Sequence, residues 1–260
     1  MLDFIFQLPD YQIFILLSVS TTLLSLIAVY VVRRVLPLKL RRQDNAVIGN
    51  IGGIVGMIYG VLVGLTALYL FNNNNYTSDA VQHEANSVAN IYRDSKWLKD
   101  PTRTAIQNDV KRYINAVVGT EWPLMESGKD IPDDGDNIIE SIDKELRNYP
   151  FNNVTNVQIV HDAEDIKLLY DARQTRIGMS NTQLSPEIWL VVMIGTILTI
   201  GINFLYRSNF SLHIIAITAA GLMASSMLFL LVTLDRPFQG EFIIEPDALK
   251  SVSAFIEKNP

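Results

Sequence analysis

Three histidines, His83, His161 and His213, are the first residues to weigh for chemistry, because imidazole ligates metals and moves protons near neutral pH. His83 is followed by Glu84, and His161 by Asp162, Glu164 and Asp165, so two of the three stand among carboxylates able to complete a cation site. Neither has the paired-histidine spacing of a helical zinc enzyme, and the chain has no cysteine to add sulfur ligands. Both groups are expected to be solvated polar faces, with no metal. The loop "DIPDDGD" gathers Asp130, Asp133, Asp134 and Asp136 like the start of a calcium loop, but Glu140 comes too early to close the frame. It reads as a solvated turn. No nucleophile elbow, phosphate-binding loop or dinucleotide fingerprint occurs, so enzymatic function is not expected and no cofactor is implied.

The elements that carry these residues are set by four apolar runs: Tyr11–Val32, Ile51–Phe71, Ile188–Tyr206 and Leu212–Leu234. Each is 19 to 23 residues long and free of Lys, Arg, Asp and Glu, with His213 at an edge. At about 1.5 Å per residue such helices cross a hydrocarbon core of roughly 30 Å. They also account for a mean hydropathy of +0.21. The predicted fold is therefore an all-α membrane protein whose four transmembrane helices form two hairpin pairs, with a helical extramembrane domain inserted between spans two and three. The division is 1–71 with spans one and two, 72–185 outside the membrane, 186–234 with spans three and four, and a tail over 235–260.

Charge orients this plan. The residues before the first span carry Asp3 and Asp10 and no basic residue, and no small-residue cleavage site follows, so a removable signal peptide is not expected. Between the first two spans lie Arg33, Arg34, Lys39, Arg41 and Arg42 against the single acid Asp44, and Arg207 lies between spans three and four. The positive-inside rule places both short loops in the cytoplasm. Both termini and the large domain then lie in the periplasm, and the chain is a multi-pass protein of a bacterial inner membrane. The net charge is −6, and residues 72–185 alone hold 18 acidic against 12 basic residues. That sign, with the lipid bilayer as surroundings, disfavours a nucleic-acid partner.

Helical signals dominate the outer domain. Val81, Ala85, Val88 and Tyr92 make one narrow stripe, and Ile106, Val110, Tyr113, Ile114 and Val117 another. Asp100 and Pro101 suit the start of that second helix and Gly119 its stop. A short helix is expected near Asn137–Arg147, and a longer one from Val154 to about Met179 with Val157, Val160, Ile166, Leu169 and Ile177 inward. In the tail, Leu249, Val252 and Ile256 form an apolar stripe behind Pro246, which should fold back on the outer domain.

The second span carries Gly52, Gly53, Gly56, Gly60 and Gly64, although each glycine costs a water-soluble helix about 1 kcal/mol against alanine. A four-residue step drifts by only about 40°, so 52, 56, 60 and 64 lie on one inclined stripe where backbones can approach closely. Two uses fit. The stripe packs on span one or four within the chain, the latter offering Ala220, Gly221, Ala224 and Ser225. Alternatively, stripes from several copies surround an axis, with Ile51, Ile54, Val55 and Ile58 as an apolar ring able to gate by dewetting. The absence of intramembrane carboxylates disfavours a proton-driven motor or pump and leaves a channel open.

The sequence resembles the bacterial bestrophin-like membrane protein family, a domain of unknown function. The resemblance rests on "GIVGMIYGVLVGL", on "VQHEANSVANIYR" with Glu84, on "DARQTRI" with Arg173 and Arg176, and on "LSPEIWLVVMIG". It closes on "LDRPFQGEFIIEPDAL" with Asp235, Pro237, Phe238 and Gly240. It implies distant likeness to bestrophins, pentameric anion channels with a hydrophobic neck. The partners implied are further copies of the chain, a pentamer by analogy, and a permeant inorganic ion. The acidic outer domain pulls the other way on ion sign, since it would concentrate cations. Arg173 and Arg176 are expected to pair with Glu84 and Asp235 in a charge clasp, because such charges near lipid are costly unpaired. The leading expectation is a homo-oligomeric ion channel with a periplasmic helical vestibule; the alternative is a non-conducting scaffold or sensor whose outer domain binds a partner or ligand.

Overall fold

A run of about twenty apolar residues has one economical backbone solution in lipid, a helix that satisfies its own N–H and C=O groups. In the computed structural model all four runs take it. The structure describes residues 9–35, 42–150, 156–206, 209–240 and 243–259; Asp3, Lys39, Arg41, Val154 and Arg207, weighed above, lie outside the described residues. The helices are α1 (Asp10–Val35), α2 (Asn45–Asp94), α3 (Thr102–Ala116), α4 (Trp122–Glu126), α5 (Asp134–Arg147), α6 (Asn156–Ser180), α7 (Pro186–Phe204), α8 (Phe210–Leu234) and α9 (Asp247–Lys258). No strand occurs among the described residues. α1, α2, α7 and α8 are long and apolar enough to cross a membrane. The chain divides into two units, Met1–Asn72 with Gln183–Arg236, and Asn73–Thr182 with Pro237–Pro260; α2 supplies residues to both.

In the first unit α7 and α8 pack on each other, as one expected hairpin pair requires. α1 packs chiefly along α8. Small residues decide this. Ser18 and Ser225 share a hydrogen bond of 3.1 Å, a Cβ on Gly221 would stand 3.4 Å from the Cα of Thr22, and the Phe14 and Phe229 rings meet edge to face at 5.3 Å. The small face of span four is thus occupied by span one. α2 instead inserts Tyr59, whose hydroxyl bonds Thr196 Oγ1 at 2.7 Å while its ring lies over Gly195. Tyr59, Val63 and Leu70 complete an apolar cluster with Leu184, Val192, Leu228 and Leu231.

In the second unit the stripes on α2 and α3 meet around Val81, Ala85, Val88, Tyr92, Ile106, Val110 and Tyr113, all buried. Gly119 does not stop the second stripe. The helix runs on through a π-turn at Val117–Glu121 into α4, and the chain turns at Gly128, whose φ of 63° is the left-handed conformation of a helix C-terminus. α5 carries Asp134 and Asp136 in its first turn and Lys144 and Arg147 in its last, the polarity that complements its dipole. α9 returns to this core with Leu249 and Ile256 buried and Val252 half-buried.

Candidate functional site: a buried charge cluster and an open glycine face

The stripe of α2 brings Glu84 to the middle of the second unit, and α6 presents Arg173 and Arg176, three residues apart and so on one face. All three are at 0 % exposure. Arg176 donates from Nε to Glu84 Oε2 at 2.6 Å and from Nη2 to Glu84 Oε1 at 3.0 Å, a two-pronged grip. The same Nη2 reaches Glu121 Oε2 at 2.8 Å. Arg173 Nη1 donates to both oxygens of Glu121, at 2.7 and 2.6 Å, and its Nε to Asp136 Oδ1 at 2.9 Å. Tyr113 donates its hydroxyl to Glu84 Oε1 at 2.7 Å. Trp122 lies under the Arg176 guanidinium at 5.3 Å, with its Nε1 donating to the Ile244 carbonyl and its ring edge-on to Phe238.

Burial by itself would favour neutral arginine at 176, but the Glu84 carboxylate beside it, with Tyr113 and Glu121, outweighs burial and holds the guanidinium charged. At Tyr113, burial and then the Glu84 charge push the phenol well above its ordinary value, so it remains a donor. Gly135, in the first turn of α5, is where the Arg173 guanidinium lies against backbone; a Cβ there would collide with it.

Of the four residues expected in one clasp, Glu84, Arg173 and Arg176 meet. Asp235 does not join them. It terminates α8 in the first unit, where Oδ1 accepts from the Leu184 N–H at 2.6 Å and Oδ2 from Trp189 Nε1 at 3.3 Å. Its role is to hold the chain entering α7. The places expected for Asp235 are filled by Glu121 and Asp136. Asp136 had been read as part of a solvated turn; it is the half-buried end of the cluster. Glu121 carried a readable signal, since it continues the four-residue spacing from Val117 to Met125 on a buried face.

On α2, Gly52 is close to Ile202, at 3.0 Å from an added Cβ, but Gly53, Gly56, Gly60 and Gly64 have no neighbour within 4 Å of that position. Ile51, Ile54 and Ile58 are exposed to between 50 and 59 %, and Val55 is half-buried. Among the described residues, packing within the chain therefore does not use Gly53, Gly56, Gly60 or Gly64.

A second group differs from its expected solvated state. His161 is exposed, yet Asp162 and Asp165 are buried at 2 and 4 %. Burial, then the negative charges of Asp94 and Asp165, push the Asp162 carboxyl up to about 7.

Fold and site together define an all-helical membrane protein with four helices long and apolar enough to span, whose second unit holds a buried charge network. The bestrophin-like domain profile matches residues 19–249, and the chain belongs to the bestrophin-like family. No curated protein matches the sequence. Among solved structures, a point variant of a bacterial bestrophin homologue from Klebsiella pneumoniae aligns over 95% of this chain and 98% of its own, with TM-score 0.67 and 11% identity. A second variant of it aligns over 95% and 97%, with TM-score 0.65 and 12% identity. A crystal structure described as a membrane protein aligns over 95% and 96%, with TM-score 0.65 and 11% identity. These likenesses concern the fold.

Proposed function

We propose that the protein is a homo-oligomeric ion channel of the bacterial inner membrane. In this reading the glycine-bearing face of α2 stands at or near a shared axis, Ile51, Ile54, Val55 and Ile58 form the apolar constriction, and the acidic extramembrane domain lines a periplasmic approach. The observation that supports it is the open face itself. In lipid, close backbone approach is the main reward for glycine in a span, and Gly53, Gly56, Gly60 and Gly64 find no such approach among the described residues of their own chain. Copies of the same helix are the natural occupants. Membership of the bestrophin-like family supports the same reading. The excess of acidic groups outside favours cations at the mouth.

The test is conductance of purified protein in a planar bilayer, with oligomeric state measured on the same preparation. Wild type should show unitary currents. Gly56→Leu, whose Cβ has no described neighbour within 4 Å, should remain a folded protomer and lose them. A silent wild-type oligomer would refute conduction and leave a scaffold or sensor.

A further inference from the structure

Asp94 at the end of α2 and His161 and Asp165 on α6 bring one ligand atom each within 4.8 Å of one another. His161 and Asp165 are four apart on one helical face, so both point to the same side, and Asp94 meets them from the other helix. The His161 Nδ1 atom lies 3.4 Å from Asp165 Oδ2 and 3.9 Å from Asp94 Oδ2. The ligands of a tetrahedral zinc ion, with bonds of ~2.1 Å, stand about 3.4 Å apart, so small side-chain adjustments would fit this triangle to an ion.

The charges in this corner are out of balance. Asp165 is 4 % exposed, and Asn90 Nδ2 donates to its Oδ1 at 3.3 Å while Oδ2, which faces the imidazole, has no hydrogen-bond partner. Asp162, one residue from His161, is 2 % exposed with both carboxylate oxygens unpartnered. Arg93 donates to the Asn90 carbonyl oxygen instead of a carboxylate. Among the described residues no lysine or arginine pairs with Asp94, Asp162 or Asp165. Three carboxylates, two of them buried, therefore share a corner in which, among the described residues, His161 is the one group able to carry positive charge that pairs with any of them. Buried polar atoms without partners are rare, and buried charges are paired or bind metals.

We infer that Asp94, His161 and Asp165 form a site for one divalent transition-metal cation per chain, of the zinc class. The donor set selects that class: imidazole favours zinc and its neighbours over magnesium or calcium, and the two carboxylates supply the charge. Three protein ligands leave a fourth position to water, and the exposed imidazole leaves the site open to entry. The site stands independently of whether the protein conducts.

The test uses full-length, tag-free protein in detergent, stripped with EDTA and titrated with zinc chloride by calorimetry. Cobalt(II) absorption serves as a second readout. Wild type should bind one zinc per chain, melt several degrees higher with it, and give visible cobalt bands. His161→Ala changes an exposed residue and should fold, weaken zinc by at least about tenfold and abolish the bands. Asp94→Asn should weaken zinc similarly, whereas His83→Ala, an exposed histidine about 16 Å further along α2, should not. Absence of zinc binding by wild type would overturn the proposal. So would equal zinc affinity in His161→Ala, or calcium or magnesium binding as tightly as zinc.

Discussion

Replacing Arg176 by alanine tests the energetic account of the second unit most directly. The side chain is wholly buried and touches two carboxylates, a thioether and an indole ring. The cluster as it stands holds two arginines against Glu84, Glu121 and Asp136, one net negative charge that falls on the half-exposed Asp136. Without Arg176 the excess doubles and moves inward. Glu121 keeps Arg173, but Glu84 keeps only the neutral Tyr113 hydroxyl. An uncompensated buried charge of this kind costs about 3–5 kcal/mol, where an exposed ion pair would cost about 0–1 kcal/mol. The thermal midpoint should fall by roughly 10–20 °C for a domain of this size. Thermal unfolding in detergent, followed by near-ultraviolet dichroism and tryptophan emission, reads it directly because Trp122 stacks on the lost group. Combining Arg176→Met with Glu84→Leu removes both charges and should recover much of the loss, since apolar replacement of a buried pair is often neutral. A loss below about 1 kcal/mol in Arg176→Ala would mean that the pair behaves as a solvated one, and the buried-network argument would be wrong.

Two glycines should respond in opposite senses. Gly135→Ala forces the pinned Arg173 guanidinium aside and should destabilise by about 1–3 kcal/mol, while Gly119→Ala, helical and open, should stabilise by roughly 0.5–1 kcal/mol; chemical denaturation of both variants checks the pair. Membrane orientation is testable with single cysteines, because the chain has none of its own. An impermeant maleimide added to intact spheroplasts should label Arg147→Cys and spare Arg34→Cys, and the reverse pattern would overturn the periplasmic placement of the outer domain.

What composition and periodicity determined on their own is local. Four runs without charge became four helices long and apolar enough to cross a membrane, because lipid offers backbone groups no partner outside the helix. The stripes at Val81–Tyr92, Ile106–Val117 and Leu249–Ile256 marked their buried faces for the same kind of reason, a period of 3.6 residues. The likeness in "VQHEANSVANIYR" and "DARQTRI" pointed at Glu84, Arg173 and Arg176 before their geometry was known. Tertiary structure decided which distant groups met. Asp235 and Glu121 are both single acids beside apolar sequence, and nothing local says which will face an arginine; the π-turn and the course of α4 settle it for Glu121, while the Leu184 amide and the Trp189 indole settle it for Asp235. The same holds for α1, which lies along α8 through Ser18 and Gly221, while Gly53, Gly56, Gly60 and Gly64 of α2 have no close neighbour among the described residues. Pairing between helices depends on how small and large side chains interlock across the gap, a property of two surfaces that neither segment carries alone.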